Sequence, residues 1–418
     1  MYMIKSMCSG IVFSSLLISS VIYADGATSF LKPSAKVAPF KACFVLNPKE
    51  SDKWSSPWYL NPQDAAKVNN GTPVCYDQNT SVDQYKNMSS FEKAAFVATA
   101  MWQYYWTSDK PIQINFQPDS SGPRFGGLSV AGLGHQLTYV DKNNNADPNY
   151  EVYPPSALSI MGGNQSAGGV VINVYINQQF GLNNYCFDPT PSNPGKPASC
   201  DNSQVSHVWD VTSVLAHELG HGYGFASIRD NSGDASEGDF YDKEINLFDF
   251  NTNNQQLSKK PVSGPYCMLG NKYYSCDFLK PYADEFAQNR NLILFTGANT
   301  VSYLKSQKYK VPANGTGYKP IQSGKVYGAA ICNLMDGNKS QNFSHFSTTG
   351  VNPPKNPVTT DLMSLWLLWN PDDGRLDISS LDLNVMKDLG YPVKTTTALN
   401  GDDLRKTLFN NAALGAQK

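Results

Sequence analysis

The 418-residue chain carries little charge: 16% of its residues are Asp, Glu, Lys or Arg, and 33 basic side chains against 35 acidic ones leave a formal net charge of -2. A nucleic-acid binder needs a basic face, so that class is excluded. There is no internal repeat and no low-complexity block, which removes solenoids and fibrous chains. With 41% hydrophobic and 12% aromatic residues the chain can fill a substantial core, so disorder is excluded too. Beyond residue 24 no apolar run is long enough to span a bilayer. No two cysteines have the C-x2-C spacing of a zinc knuckle, and histidine is scarce, at five.

The one long apolar run lies at the start. Lys5 is the only charge before Asp25, and Gly10 to Val21 (GIVFSSLLISSV) leads to Ala24. A basic beginning, an apolar stretch of about a dozen residues and a small residue at the cut describe a Sec-type signal peptide over residues 1–24. The expected product is exported, extracellular or periplasmic, without stable membrane insertion. Cysteine usage agrees with an oxidising compartment. Cys43 with Cys75, Cys186 with Cys200, and Cys267 with Cys276 are close pairs that suggest local disulfides, although six cysteines admit fifteen connectivities. Cys332 is left over, and reads as a buried free thiol.

Residues 25–108 form an N-terminal extension or propeptide, and the first half is rich in Pro, Asn, Ser and Lys. A helix follows Ser89, which with Glu92 has the spacing of a capping box. Phe91, Ala94, Ala95, Ala98, Met101, Trp102 and Tyr105 form its apolar face. Strands are expected at 111–116 (PIQINF) and 170–176, and a second helix starts near Asp210, a good N-cap, and loosens at Gly222 and Gly224. Residues 228–340 are polar and weakly periodic and read as a long insertion. A last helix lies within 378–391, with Leu381, Val385, Met386 and Leu389 inward and Gly390 as its stop; 396–418 reads as a polar, mildly helical tail.

The chemistry concentrates at His217-Glu218-Leu219-Gly220-His221. Positions i and i+4 of a helix share a face, so both imidazoles reach one zinc ion while Glu218 reaches a water beside it. A chance HExxH on a surface helix is the bland alternative, but the preceding Val214-Leu215-Ala216 would bury this helix. The next residues complete HExxHxxG at Gly224, and Ser227 stands where a third His would complete a metzincin motif. A serine hydroxyl is a poor zinc ligand. The third ligand is therefore either a carboxylate from Asp230, Asp234, Glu237, Asp239 or Glu244, or the distant His345, which Met363 follows in a Asp-Leu-Met-Ser segment.

HELGHGYGF, a long insertion, Ser-His-Phe at 344–346, a Leu-Met turn and a helix ending LDLNVMKDLGY resemble the leishmanolysin group of metzincins and its secreted bacterial relatives. The likeness extends upstream to PIQINF and YPPSAL and covers roughly residues 109–392. It implies an α+β metzincin-type zincin: a twisted mixed sheet with the zinc helix in an N-terminal subdomain and a smaller, mainly helical or irregular C-terminal subdomain, within a peptidase domain over 109–395. It also implies His217, His221 and His345 as zinc ligands, Glu218 as general base, Met363 as the floor beneath the metal, and a protein or peptide substrate held along a sheet edge. Neutral imidazole suits zinc and favours His345 over the acidic candidates. A pro-region thiol, Cys43 or Cys75, would impose latency in such an enzyme, but an ordinary disulfide between them is favoured. Two rival readings are a binding protein or adhesin that keeps the scaffold with an inactive site, and a zinc hydrolase of non-peptide bonds. His135 and His207 read as surface or hydrogen-bonded residues, Asp372-Asp373-Gly374 as a turn, and the sequons at Asn70 and Asn342 as chance matches.

Overall fold

The computed structural model describes residues 29–46, 52–54, 59–118, 128–132, 149–151, 171–176, 185–186, 209–225, 251, 255–260, 266–269, 272–275, 293–306, 329–331, 345–346, 361–363 and 377–409. In chain order these form β1 (Phe40–Phe44), α1 (Pro62–Asn69), β2 (Val74–Asp77), α2 (Val82–Asn87), α3 (Ser90–Tyr105), β3 (Ile112–Pro118), β4 (Leu128–Gly132), β5 (Asn149–Glu151), β6 (Val171–Ile176), β7 (Tyr185–Cys186), β8 (Trp209–Asp210) and α4 (Val211–Gly222). There follow β9 (Gln255–Leu257), β10 (Tyr266–Leu269), β11 (Lys272–Ser275), β12 (Ile293–Phe295), α5 (Ala298–Ser306), β13 (Ala329–Ile331), α6 (Ser380–Asp388) and α7 (Gly401–Leu408).

Local chemistry sets the helix starts. Ser89 accepts the Glu92 amide and the Glu92 carboxylate returns to the Ser89 amide, so the capping box expected there opens α3. The same reciprocal pair, Ser379 with Asp382, opens α6, and Asp210 caps α4 through the Ser213 amide. Each such cap is worth about 1 kcal/mol. Contrary to the one-sided apolar face expected of it, α3 is buried on nearly every side, Ala94 through Gln103 included. Sheet, α4 and α7 each pack against it, and a helix apolar all round is one enclosed by its neighbours.

The main sheet is mixed, in the order β2-β1-β3-β6-β4. β1, β3 and β6 run parallel, while β2 and β4 pair antiparallel at the two edges. α3 lies on β1, and α4 lies on β6 and on the edge strand β4. The molecule is thus α+β with a mixed sheet, and Phe40, Phe44, Phe96, Ile114, Phe116 and Val174 fill the space beneath the helices.

β1 comes from the N-terminal extension and yet sits inside the sheet, between β2 and β3. Cys43 of β1 stands opposite Cys75 of β2, and the two are joined as a disulfide, so neither is a free thiol. The tail is equally built in. Leu404, Arg405, Leu408 and Phe409 are fully buried, Phe409 bridges Leu31, and the Lys32 amide donates to the Leu408 carbonyl at 2.8 Å. The boundaries expected at 108 and 395 therefore fall inside one core. Part of the 228–340 segment is ordered as well. α5 is tied to α6 through Asp388, whose carboxylate accepts from Asn299 N, Asn299 Nδ2, Thr300 N and Thr300 Oγ1 at 2.7–2.9 Å. Among the described residues no helix is long and apolar enough to cross a membrane. Cys200 and Cys276, the expected partners of Cys186 and Cys267, lie outside the described residues, as do Cys332, the signal segment, Asp372-Asp373-Gly374 and the Asn342 sequon.

Candidate metal centre

The helix that carries His217 and His221 is held from three directions. Leu215, Ala216 and Leu219 are wholly buried on its inner face. The Trp102 indole of α3 donates to the Ala216 carbonyl at 2.7 Å, immediately before the first histidine. Its end is a Schellman cap: the Gly224 amide donates to the His221 carbonyl at 2.8 Å, and the Phe225 amide to the Gly220 carbonyl at 3.0 Å. Gly224 has φ of 99°, a left-handed conformation that favours glycine. The cap turns the chain back, so that the Phe225 carbonyl accepts from His221 Nδ1 at 2.7 Å.

The third histidine arrives from far along the chain. His345, mostly buried, lies next to Phe346, whose amide donates to the Met363 carbonyl at 2.9 Å. The residue before Met363 completes the clasp, because the Leu362 carbonyl accepts from His217 Nδ1 at 2.6 Å. Phe346 also meets Phe225 edge-on, with ring centroids 4.9 Å apart. The segments at 345–346 and 361–363 are thus bonded to each other and to α4.

The three Nε2 atoms converge: 2.9 Å between His217 and His345, 3.1 Å between His217 and His221, and 3.2 Å between His221 and His345. A carbonyl only accepts, so the Nδ1 of His217 and of His221 must each carry a proton. In the neutral rings their Nε2 atoms are then bare lone pairs, aimed at one another across 3.1 Å. That arrangement is repulsive unless a cation lies between them. Burial drives His217 well below the usual imidazole range, with His221 adding to the effect, and burial lowers His221 to about 4. Both are therefore neutral at pH 7, as ligands must be. This buried three-histidine group could hold a metal ion. Tetrahedral coordination at about 2.0–2.1 Å would set the nitrogens about 3.3 Å apart, close to what is seen.

Glu218, one step round the helix, is half-buried, and desolvation pushes its carboxyl up to about 8. Met363 is fully buried against Gly220, the residue before His221 on α4. A Cβ at position 220 would overlap Met363 Sδ and come within 3.1 Å of Met363 Cε and 3.3 Å of Trp102 Cζ2. Gly220→Ala is accordingly expected to destabilise the protein by about 1–3 kcal/mol through overpacking. Thermal unfolding would measure it, and in Gly220→Ala/Met363→Ala the two costs should sum to less than additivity, because the substitutions share one space.

Of the residues singled out from sequence, His217, His221 and His345 meet, Met363 packs against Gly220 of the same helix, and Glu218 follows His217 on it. Asp230, Asp234, Glu237, Asp239, Glu244, His135 and His207 lie outside the described residues. Sequence reasoning missed the carbonyls of Phe225 and Leu362, which fix the two tautomers, and the indole of Trp102. Backbone carbonyls leave no trace in residue identity, and Trp102, though named on the apolar face of α3, gave no sign from sequence of its bond to α4.

Comparison with known protein families, characterised proteins and solved structures found no match for the chain. Its function is therefore inferred from this geometry.

Proposed function

We propose that the chain is a secreted zinc endopeptidase of metzincin type, related in its site to the leishmanolysin group. The observation that carries this reading is the convergence of three imidazoles on one point, two of them with their Nδ1 protons committed to carbonyls. Nitrogen donors in a small tetrahedral set favour zinc over calcium or magnesium, which take oxygen ligands. Methionine beneath the helix and a glycine turn after it agree with the metzincin arrangement.

Zinc at such a site supplies Lewis acidity to the scissile carbonyl and acidity to a water. The protein's own part is proton transfer. Glu218 accepts the proton of the attacking water and passes it to the leaving amine, so no covalent acyl-enzyme is needed. The substrate would lie extended along β4, an edge strand among the described residues, over which α4 packs. Main-chain pairing at a sheet edge asks little of side-chain sequence. A signal peptide over residues 1–24 would export the enzyme.

Metal analysis of the purified protein should find one zinc per chain, and casein digestion should stop with a chelator and resume with added zinc. A protein with no bound metal and no hydrolysis would point instead to a binding protein on this scaffold. Zinc without peptide cleavage would point to a hydrolase of other bonds.

A further inference from the structure

We propose, given the triad as a metal centre, that Arg405 on α7 is a positioning residue for it. Its guanidinium is fully buried. Nη1 donates to Asp377 Oδ1 at 3.1 Å, and Nη2 lies 3.8 Å from Asp210 Oδ2. Nε and Nη2 make no hydrogen bond among the described residues, so the approach to Asp210 is a contact between charges. The two carboxylates belong to the two halves of the site. Asp210 caps α4, the helix of His217 and His221, and the same Oδ2 accepts the Ser213 amide at 3.3 Å. Asp377 is bridged through its backbone to Asp361, which leads straight into Leu362 and Met363. Leu362 fixes the tautomer of His217, and Met363 holds the residue beside His345.

One cation therefore stands between the backbone that presents two ligands and the backbone that orients the third. A buried guanidinium is tolerated only while carboxylates compensate it, so the two aspartates cannot drift apart without leaving charge uncompensated. The contact is close on the α7 side too, since a Cβ at Gly401 would overlap the Asp377 carboxylate. Lysine cannot replace this fork, because a single ammonium does not present two separated donors in fixed geometry. Arg405 thus acts on the metal indirectly, through Asp210 and Asp377.

Zinc affinity of the full-length protein, measured by competition with a chromogenic chelator, tests this, together with the visible spectrum of the cobalt-loaded protein. Arg405→Lys and Asp377→Asn are expected to weaken zinc binding by up to about 10-fold, the lower end of the cost of losing a direct outer partner of a ligand because neither touches a histidine, and to change the cobalt bands. Lys406→Ala, at an exposed position of the same helix, should leave both unchanged. Adding Asp210→Asn to Arg405→Lys should cost less than the two separate effects combined. Wild-type zinc affinity and an unaltered cobalt spectrum in Arg405→Lys would overturn the proposal even if that variant melted lower, because Arg405 would then serve folding alone. A wild-type protein that binds neither metal would overturn the metal-centre reading itself, a result separate from the variant comparison.

Discussion

Glu218→Gln is expected to leave a folded protein that keeps its zinc while hydrolysing peptides about 100- to 10,000-fold more slowly, the usual contribution of a positioned general base. Amide and carboxyl have the same shape, so the loss isolates proton transfer from packing. Steady-state hydrolysis of a quenched peptide, with zinc content measured on the same samples, checks it. Hydrolysis at the wild-type rate would remove Glu218 from the mechanism. The same substitution has a stability signature in the metal-free protein. Burial raises the folded-state pKa of Glu218 to about 8, from an ordinary value of 4.5. The folded form holds the proton more tightly than the unfolded form, so stability present below pH 4.5 is lost as pH rises through 8. The glutamine variant has no such titration. Its stability advantage over the wild-type apoprotein should appear above pH 4.5 and grow up to about pH 8.

His345→Ala carries the second large effect. Removing one of three nitrogen ligands should weaken zinc by more than the 10- to 100-fold, approximately, that loss of an outer partner costs. Hydrolysis should fall with occupancy. The cavity left by the imidazole would sit beside Phe346 and Phe225, so unfolding should be followed in the same variant to separate metal loss from collapse. In parallel, Asp230→Asn, Asp234→Asn, Glu237→Gln, Asp239→Asn and Glu244→Gln should each keep stoichiometric zinc. Full zinc retention by His345→Ala, with loss in one of the acidic variants, would transfer the third ligand to that carboxylate.

What could be read from sequence was what is encoded locally. The Ser89/Glu92 box and its apolar period announce α3, and Asp210 followed by Val-Thr-Ser announces α4, because caps and periodicity involve residues within a turn or two of each other. The pairing of His217 with His221 is legible for the same reason. His345 stood as one of several candidates for the third ligand until the resemblance and imidazole chemistry favoured it, since nothing local links it to a helix more than a hundred positions earlier. β1 escaped because Phe-Lys-Ala-Cys-Phe is a short, imperfect alternation and its place between β2 and β3 depends on partners elsewhere. The burial of α7, within a tail read as polar and mildly helical, escaped because Arg405 reads as a solvent-facing charge when its two aspartates are invisible, leaving Leu404 and Leu408 as a thin apolar signal.

The seam between the early and late parts of the chain governs when the protein can finish folding. Lys32 Nζ reaches the Lys406 carbonyl across 374 positions of sequence, and Leu31 pairs with Phe409. Contacts of such separation form late and slowly, because a long loop must close before they return any energy. A ribosome must therefore deliver almost the whole described chain before this seam can close. The clasp on α4 waits as well, since His345 and Leu362 lie more than a hundred positions beyond the helix they meet.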